Sequence, residues 1–430
     1  MPSTAPATPG SAPPMGDARW LAWLCLSRLA FSLIFTVYSA VLPLVKDAWG
    51  MSAAEAGLVQ SAWHGGYVVS LFVAGRLSER YGAKAVFLGM SYAACASALL
   101  FALFADGFWS ALLLYGLTAI CSGGSYTPGL ALIAERFEPG RRGRAMGFYL
   151  AAASTGYAIA LLGAGAVSPL AGWRAALLGA ALATLAGAVL AHWVLRGTPN
   201  LVSPPAPGEA AGGSIRAVWR NRPARLAILA YSFHCYELLG MWAWLPAFLA
   251  ASAAVNGSAG AGAVGFGVAL AGVAHLVGTI GSLSGGALSD RYGRTAVMLG
   301  MGLASLVFSL AFGWLMAAPL WLLTVIAIVY NITAIGDSSV YSTALTELVP
   351  HRLIGPAYAV RSVLGFGMAA VAPWVFGLVL DFGTPAGGEP GRVAWGLAWT
   401  SLAMGAVLGP WMSLKLRRTP EGAAMANGKG

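Results

Sequence analysis

Seven ionisable side chains lie inside long apolar stretches of this chain. A charged side chain at the centre of a bilayer costs about 3 kcal/mol on insertion scales, so such residues usually face a cavity or a polar partner. Carboxylates and imidazoles in these places can bind and release protons, and guanidinium groups can bind anions. The seven residues are Arg28, His64, His234, Glu237, His275, Asp337 and Arg361.

Glu237 is the first candidate for a proton-carrying group. It lies in the middle of an apolar run, and His234 precedes it by three residues, which places both side chains on one face of a helix. A cationic neighbour would couple protonation of the carboxylate to binding. Asp337, which is followed by two serines, is a further proton or substrate group. The alternative for each acid is a structural hydrogen bond.

His64 and His275 lie 211 residues apart, each eleven residues before a glycine of a repeated motif. The repeat places them at equivalent positions on two helices. Because imidazole donates, accepts and titrates near neutral pH, we predict that the pair binds substrate or relays protons. The alternative is that each satisfies a buried polar group between helices.

Arg28 and Arg361 keep their charge at any physiological pH. If both face a cavity, they favour an anionic substrate through bidentate pairing. The alternative is that each extends to the membrane surface, since Arg28 lies eight residues into its run and Arg361 six residues past Gly355. Tyr67 and Trp242 are predicted to join them in the cavity wall, although either could instead be packing or interface aromatics.

A polar hairpin occurs twice in the chain. Leu77 to Met90 returns as Leu288 to Met301, with ten of fourteen positions identical and an offset of 211 residues. We predict that each copy links two helices through a tight glycine turn, and that its charges latch one face of the protein when that face is closed. The predicted gating residues are Gly75, Glu79, Arg80, Gly82, Gly286, Asp290, Arg291, Gly293 and Arg294.

The elements that must position these residues are membrane helices. The 430-residue chain is 58% hydrophobic and 9% charged, whereas soluble domains carry about 25% charged residues. Twelve apolar runs approach or exceed the roughly 20 residues that a spanning helix needs, without the alternation of strands. They lie near 20–44, 53–75, 85–104, 110–134, 145–168, 175–195, 226–249, 264–287, 296–316, 320–345, 355–380 and 394–414.

We therefore predict an all-α polytopic membrane protein with twelve transmembrane helices in two pseudo-symmetric six-helix bundles. A Pro- and Gly-rich segment separates the bundles, and within it Ser214 to Asn221 is predicted to form an interfacial helix, with Ile215, Val218 and Trp219 facing lipid. The predicted regions are a disordered tail (1–17), a first bundle (18–195), a linker (196–223), a second bundle (224–416) and a C-terminal tail (417–430).

The net charge of +10 is a topology signal. Twenty of the 25 Lys and Arg residues fall in the loops and tails of one side, and only Lys46, Arg174 and Arg392 fall on the other. This asymmetry predicts that both termini are cytoplasmic, and it argues against nucleic-acid binding. The sequence contains no nucleotide-binding or hydrolase motif, so we expect neither a cofactor nor an enzyme.

The repeated hairpin resembles the signature Gly-x-x-x-Asp-Arg-x-Gly-Arg of the major facilitator superfamily. The second copy matches better, because the first has Glu79 and Ala83 where the family has Asp and Arg. The resemblance implies two six-helix bundles around a central cavity that opens alternately to each side. Two family motifs are altered: Ala119 stands where an arginine of the fourth helix belongs, and Tyr157 replaces the proline of the antiporter motif.

The sequence thus predicts a secondary transporter of a small organic or inorganic anion, coupled to protons and working as a monomer in a bacterial inner membrane. A multidrug or amphipathic-solute proton antiporter is the main alternative, although its motif is degraded. A metal-ion transporter using His64, His275, His234 and Glu237 has suitable ligand types without a diagnostic spacing. A membrane sensor is the remaining alternative.

Overall fold

The apolar runs form long helices, because a backbone in hydrocarbon must satisfy its hydrogen bonds within the segment. The computed structural model describes residues 15–202, 211–258 and 260–430. Each helix contains its predicted run or ends within a residue of it, and most extend a few residues further. The helices are α1 (Asp17–Ala48), α2 (Ala53–Tyr81), α3 (Ala83–Phe104), α4 (Phe108–Arg136), α5 (139–171), α6 (173–195), α7 (Arg222–Val255), α8 (Gly260–Tyr292), α9 (Arg294–Leu315), α10 (Leu320–Leu348), α11 (Ile354–Gly383) and α12 (Arg392–Arg417).

Ten helical stretches of the described chain are long and apolar enough to cross a membrane by length and composition. One of them contains both α5 and α6, which meet at Gly172, where a φ of 80° breaks the helix. After this turn, Arg174 donates to the carbonyl oxygens of Ala102 and Ala105 at the end of α3. Helix α2 lies outside the ten and packs against α4 and α11 as part of the same bundle of rods.

Helices α1–α6 form one half and α7–α12 the other. Residues 1–14 of the predicted tail and 203–210 of the predicted linker lie outside the described residues. A helix does form at Ala211–Arg220, close to the prediction. Its Val218 is buried beside α7 and α10, however, while Ile215 and Trp219 are exposed, so the expectation that all three face outward is wrong for Val218.

The halves are joined at the end of the molecule that is opposite the termini, here called the distal end. There α2 packs on α11 and α5 packs on α8. A side chain at Gly57 of α2 would overlap the carbonyl oxygen of Pro373, and one at Gly165 of α5 would overlap Gly265 of α8, so the backbones touch at both seams. Small residues permit this approach.

One carboxylate reinforces the distal seam. Asp381, at the end of α11, accepts hydrogen bonds from the backbone N–H groups of Ala53 (2.9 Å) and Ala54 (2.8 Å) at the start of α2. Among the residues that the structure describes, these are the hydrogen bonds that cross between the halves. At the opposite end, which carries the termini and is here called the terminal end, the described side chains make no hydrogen bond or salt bridge between halves.

The two repeated hairpins lie at the terminal end. Gly82 and Gly293 have φ values of 86° and 100°, which explains the glycine at the turn of each copy. In the second copy Arg294 binds Asp290 at 2.5 Å and Glu347 of α10 at 2.9 Å, all within one half. The first copy has Ala83 in place of Arg294 and holds no such network in the described chain. The latch between halves therefore stays a prediction.

Candidate functional site

A cavity of about 260 Å³ lies between the two halves, at mid-depth of the helices. Helices α1, α2, α4 and α5 of the first half and α7, α10 and α11 of the second contribute side chains to its wall. Nine of its 23 lining residues are Phe, Tyr or Trp, and its ionisable lining residues other than tyrosine and cysteine are Arg28, His234 and Arg361. No aspartate or glutamate among the described residues lines it.

Arg28 of α1 faces this cavity and is 6% exposed. Its Nη1 donates to the Ser125 hydroxyl at 2.5 Å, and its guanidinium carbon lies 5.8 and 5.6 Å from the ring centres of Tyr126 and Tyr149. Its Nε is buried without a hydrogen-bond partner. The guanidinium is held from behind by a hydroxyl and two rings, while donors remain free.

Arg361 of α11 has a matching environment in the other half and is 8% exposed. Its Nη1 donates to the Ser342 hydroxyl at 2.5 Å, and its guanidinium carbon lies 4.4 and 4.5 Å from the ring centres of Tyr231 and Tyr358. Its Nε also lacks a partner. Both arginines are thus in the cavity wall, and neither extends to the surface.

These two arginines differ from another buried arginine of the chain. Arg294 is equally buried but binds Asp290 and Glu347. Arg28 and Arg361 form no salt bridge with any described carboxylate. An unpaired buried charge costs several kcal/mol, whereas hydroxyls and ring faces compensate only part of this. The cavity therefore carries two positive charges that a bound anion would neutralise.

Breaks in two helices place polar groups at the cavity. Helix α4 narrows to a 3-10 turn at Gly123–Ser125 and resumes after Tyr126, and α10 is interrupted at Asp337. Tyr126 and Asp337 are 211 residues apart, the same offset as the repeated hairpin. The break in α4 presents Ser125 to Arg28, and the break in α10 presents Ser338 to His234.

Aromatic rings close the cavity toward the distal end. Phe35 of α1, Tyr157 of α5 and Trp242 of α7 lie together, with ring centres 4.6 Å (Phe35–Tyr157), 6.1 Å (Tyr157–Trp242) and 6.5 Å (Phe35–Trp242) apart. The Trp242 indole donates to the Asn331 side chain at 2.8 Å. Tyr67, the other predicted aromatic, lines the cavity and contacts Phe366 across the halves at 5.0 Å. We call Phe35, Tyr157 and Trp242 the aromatic ceiling.

His64 and His275 lie outside the described cavity wall, and their role in binding substrate or relaying protons stays a prediction. Each is buried behind a ring of the first helix of its half. His64 lies 5.8 Å from the Phe35 ring, and His275 lies 4.4 Å from the Trp242 ring and 5.8 Å from that of Tyr157. One ring nitrogen of each is buried without a partner. The aromatic ceiling therefore lies between these histidines and the cavity.

His234 lines the cavity and pairs with Asp337. Its Nδ1 lies 2.9 Å from Asp337 Oδ1, and its Nε2 lies 2.7 Å from the Ser338 hydroxyl. Both side chains are about 5% exposed. The sequence indicated Glu237 as the partner of His234, because the two residues share a helix face. It could not show that the break in α10 brings Asp337 next to His234.

Glu237 lies behind His234, away from the cavity wall. Its carboxylate accepts hydrogen bonds from Ser305 (3.0 Å) and Ser309 (2.9 Å) of α9, and Ser309 in turn bonds to Tyr330 at 2.6 Å. A small void of about 10 Å³ is lined by His234, Glu237 and Asp337 together. The three predicted proton groups are therefore neighbours, with His234 between the cavity and the two carboxyl groups.

Within the described part of the chain, no three His, Cys, Asp or Glu side chains gather as they would around a metal ion. The histidines that a metal-ion transporter would need are separated by the aromatic ceiling. Sequence reasoning also missed Ser125 and Ser342, which contact the arginines, and noted Ser338, which contacts His234, only as a neighbour of Asp337. Serines are common throughout this chain, so residue type alone could not distinguish these from the others.

Comparisons with known proteins identify the family of this chain. The family model described as Major Facilitator Superfamily matches residues 24–373. The "Probable 4-methylmuconolactone transporter" of Cupriavidus pinatubonensis is 26% identical over 80% of this chain and 81% of its own. The "Membrane sensor protein UhpC" of Salmonella typhimurium is 25% identical over 53% of each chain.

Solved structures show the same fold. A bacterial homologue of the human lysosomal transporter Spinster, in an inward-facing and unoccupied conformation, superposes with a TM-score of 0.72 at 18% identity, covering 94% of this chain and 98% of that one. This match shows that the nearly all-helical chain has the fold of that transporter. The chain belongs to the Major Facilitator Superfamily of membrane transporters.

Proposed function

We propose that this protein moves a small organic anion across the membrane by alternating access, coupled to protons, as a monomer. One observation carries the proposal: two buried arginines, one from each half, face a shared cavity without a carboxylate partner. Each uses one of its five N–H donors on a serine, so a bidentate carboxylate can bind each fork. A ligand held by both halves would be sensitive to their relative movement.

We further infer that the terminal end faces the cytoplasm of a bacterial cell and that the membrane is the inner one. The support is the excess of Lys and Arg in the loops and tails at that end. Since the halves touch at the distal end, the cavity in this conformation would communicate with the cytoplasm. The related 4-methylmuconolactone transporter, named for a small organic solute, is compatible with this class of cargo.

Proton coupling is assigned to His234, Asp337 and Glu237. A chain of contacts joins them to the anion site: Arg361 donates to the Ser342 hydroxyl, Ser342 donates to the backbone carbonyl of Ser338 (3.3 Å), and the Ser338 hydroxyl meets His234. An anion at Arg361 and a proton on His234 would attract each other through this low-dielectric wall. Binding of one would favour the other, as symport requires.

Aromatic and ionisable side chains surround His234. The Tyr231 ring stacks on the His234 ring at 5.8 Å, the Tyr341 ring lies tilted against it at 5.3 Å, and the Asp337 carboxyl group lies 2.9 Å from Nδ1. Glu237 lies one helical turn away on α7, in the adjoining void. Arg361 faces the same cavity from α11.

The proposal is tested by binding to purified protein. A thermal-shift screen with carboxylates, inorganic anions, amphipathic cations and divalent metals should show stabilisation by small carboxylates. Arg28→Gln and Arg361→Gln should each remove it, and Arg28→Lys should restore little, because lysine lacks the bidentate fork. Arg144→Gln, an exposed arginine of α5, is the matched control. Equal carboxylate binding by wild type and both cavity variants would refute anion recognition.

The aromatic lining favours one alternative, the transport of an amphipathic solute. Nine aromatic residues in 23 exceed the 11% of the whole chain and would bind a broad range of apolar compounds. The two unpaired arginines disfavour the lipophilic cations that such exporters often carry. Stabilisation by amphipathic cations alone in the same screen would support this alternative over anion transport.

A further inference from the structure

The central cavity combines two features that together narrow the chemistry of its ligand. This inference rests on the proposed function, since it concerns the same cavity. The first feature is the pair of guanidinium groups, on α1 and α11, that approach the cavity from different halves. The second is the set of flat rings that fill much of the wall between them. Each feature restricts a different property of the ligand.

The arginines determine charge. Arg28 and Arg361 each retain free donors, and each is buried to more than nine-tenths. No described carboxylate lines the cavity, and the two acids near it, Asp337 and Glu237, lie behind His234. A monoanion would neutralise one guanidinium and leave the other buried and unpaired. A ligand with a carboxylate at each end would satisfy both.

The rings determine shape. Tyr67 and Phe366 meet across the two halves, and Trp242 and Phe35 form part of the aromatic ceiling. Tyr126 and Tyr231 already lie beside the guanidinium groups of Arg28 and Arg361. Ring faces and edges of this kind stack on flat π-systems, with a preference for offset or edge-on contact. A flat unsaturated skeleton gains more from such walls than a puckered saturated one.

The volume determines size. The 260 Å³ cavity corresponds to about nine water molecules at roughly 30 Å³ each. Because bonded atoms pack more closely than separate waters, roughly ten to thirteen non-hydrogen atoms fit. A benzene ring with two carboxylates falls in this range.

We propose that the substrate is a flat, unsaturated dicarboxylate whose two carboxylates bridge Arg28 and Arg361. Its skeleton lies against the rings of Tyr67, Phe366 and the aromatic ceiling. Because the two arginines belong to different halves, such a ligand is bound fully only when both halves converge on it. The substrate itself then links the two halves in the occupied state.

The test uses isothermal calorimetry on the purified full-length protein in detergent. The probes are the three isomers of benzenedicarboxylate, benzoate, cyclohexane-1,4-dicarboxylate and sulfate. The best benzenedicarboxylate should bind at least tenfold more tightly than benzoate and than the saturated ring diacid. Arg28→Gln and Arg361→Gln should each reduce its affinity to the level of benzoate, and Arg144→Gln should leave it unchanged.

Three results would overturn the inference, and they differ in what they leave standing. Benzoate binding as tightly as every diacid, with sensitivity to one arginine only, would show a monoanion site. Equal binding of the saturated ring diacid would remove the requirement for flatness. In both cases anion transport stands. If no carboxylate or sulfate binds while the protein is folded and monodisperse, the proposed function itself fails.

Discussion

Asp381 should control which end of the transporter is closed. Its carboxylate accepts from the N–H groups of Ala53 and Ala54, the first two residues of α2, across the seam between the halves. Ser52 and Glu55 form a capping box at the same helix start, so α2 itself stays capped when Asp381 is lost. The Asp381 contact therefore stabilises the distal closure specifically, and Asp381→Ala should open the distal end.

The magnitude follows from two charge-assisted hydrogen bonds at a helix N-terminus. A hydrogen bond contributes about 0.5–1.5 kcal/mol net, because the separated groups bind water instead, and a carboxylate near the helix dipole adds a few tenths. We take about 2 kcal/mol for the half-buried pair. At about 1.4 kcal/mol per factor of ten, Asp381→Ala should shift the ratio of distal-closed to distal-open molecules by roughly 25-fold. Asp381→Asn, which keeps one acceptor, should shift it by roughly fivefold.

Spin-label distances measure this ratio. The four native cysteines, Cys25, Cys95, Cys121 and Cys235, are first replaced by serine or alanine. Labels at Asp106→Cys in the first half and Val393→Cys in the second then report on the distal end, since both positions are exposed. The expected result is a longer-distance population that grows from wild type through Asp381→Asn to Asp381→Ala.

Glu389→Gln is the matched control, because Glu389 is an exposed acid at the same end with no hydrogen bond in the described structure. It should leave the distances unchanged. Identical distributions in wild type and Asp381→Ala would refute the argument that this carboxylate holds the distal end closed. A shift of the same size in Glu389→Gln would show that the effect is one of general surface charge.

Four further substitutions follow from the same structure. Gly57→Ala places a methyl group against the Pro373 carbonyl, so the same labels should report distal opening, and unchanged distances would contradict the close approach. Glu237→Gln and Asp337→Asn should each abolish accumulation driven by a pH gradient in proteoliposomes while counterflow exchange continues; normal uphill transport would exclude either group as a proton carrier. Arg294→Gln should slow turnover by about tenfold with little change in ligand affinity, and a pure affinity defect would contradict a gating role.

Much of the fold follows from the sequence, because hydrocarbon demands long helices with internally satisfied backbones. The predicted runs fall within a few residues of α1–α12, and the repeated hairpin indicated two equivalent halves. The helix ends were harder to predict, since α2 and α8 continue through polar motif residues that no hydropathy pattern marks as helical. Hydropathy also suggested that Val218 faces lipid, whereas packing against α7 buries it.

The site was partly predictable for a similar reason. Cost at bilayer depth identified Arg28, Arg361, His234 and Asp337, which do meet at the cavity wall or just behind it. The same argument could not separate them from His64, whose depth and type are equivalent. What distinguishes these residues is the rotation of each helix about its axis and the rings packed in front of it. Both depend on tertiary packing and cannot be predicted from the spacing of residues in the sequence.

The contacts seen in this conformation indicate which ones must be lost and replaced when the transporter changes conformation. Opening the distal end breaks the Asp381 contact and the Gly57 seam, and closing the terminal end must supply comparable contacts there. The terminal-end charges of the first hairpin are free to do so: Glu79 and Arg80 form no salt bridge in the described chain, and Gly75 faces open space. The first hairpin lacks the salt bridges that Arg294 forms in the second. Its charges are therefore available to pair with the opposite half. We therefore expect the Asp381 contact to hold the distal end closed in one state and the first hairpin to hold the terminal end closed in the other. The proposed bridging anion would favour the states in which Arg28 and Arg361 approach each other.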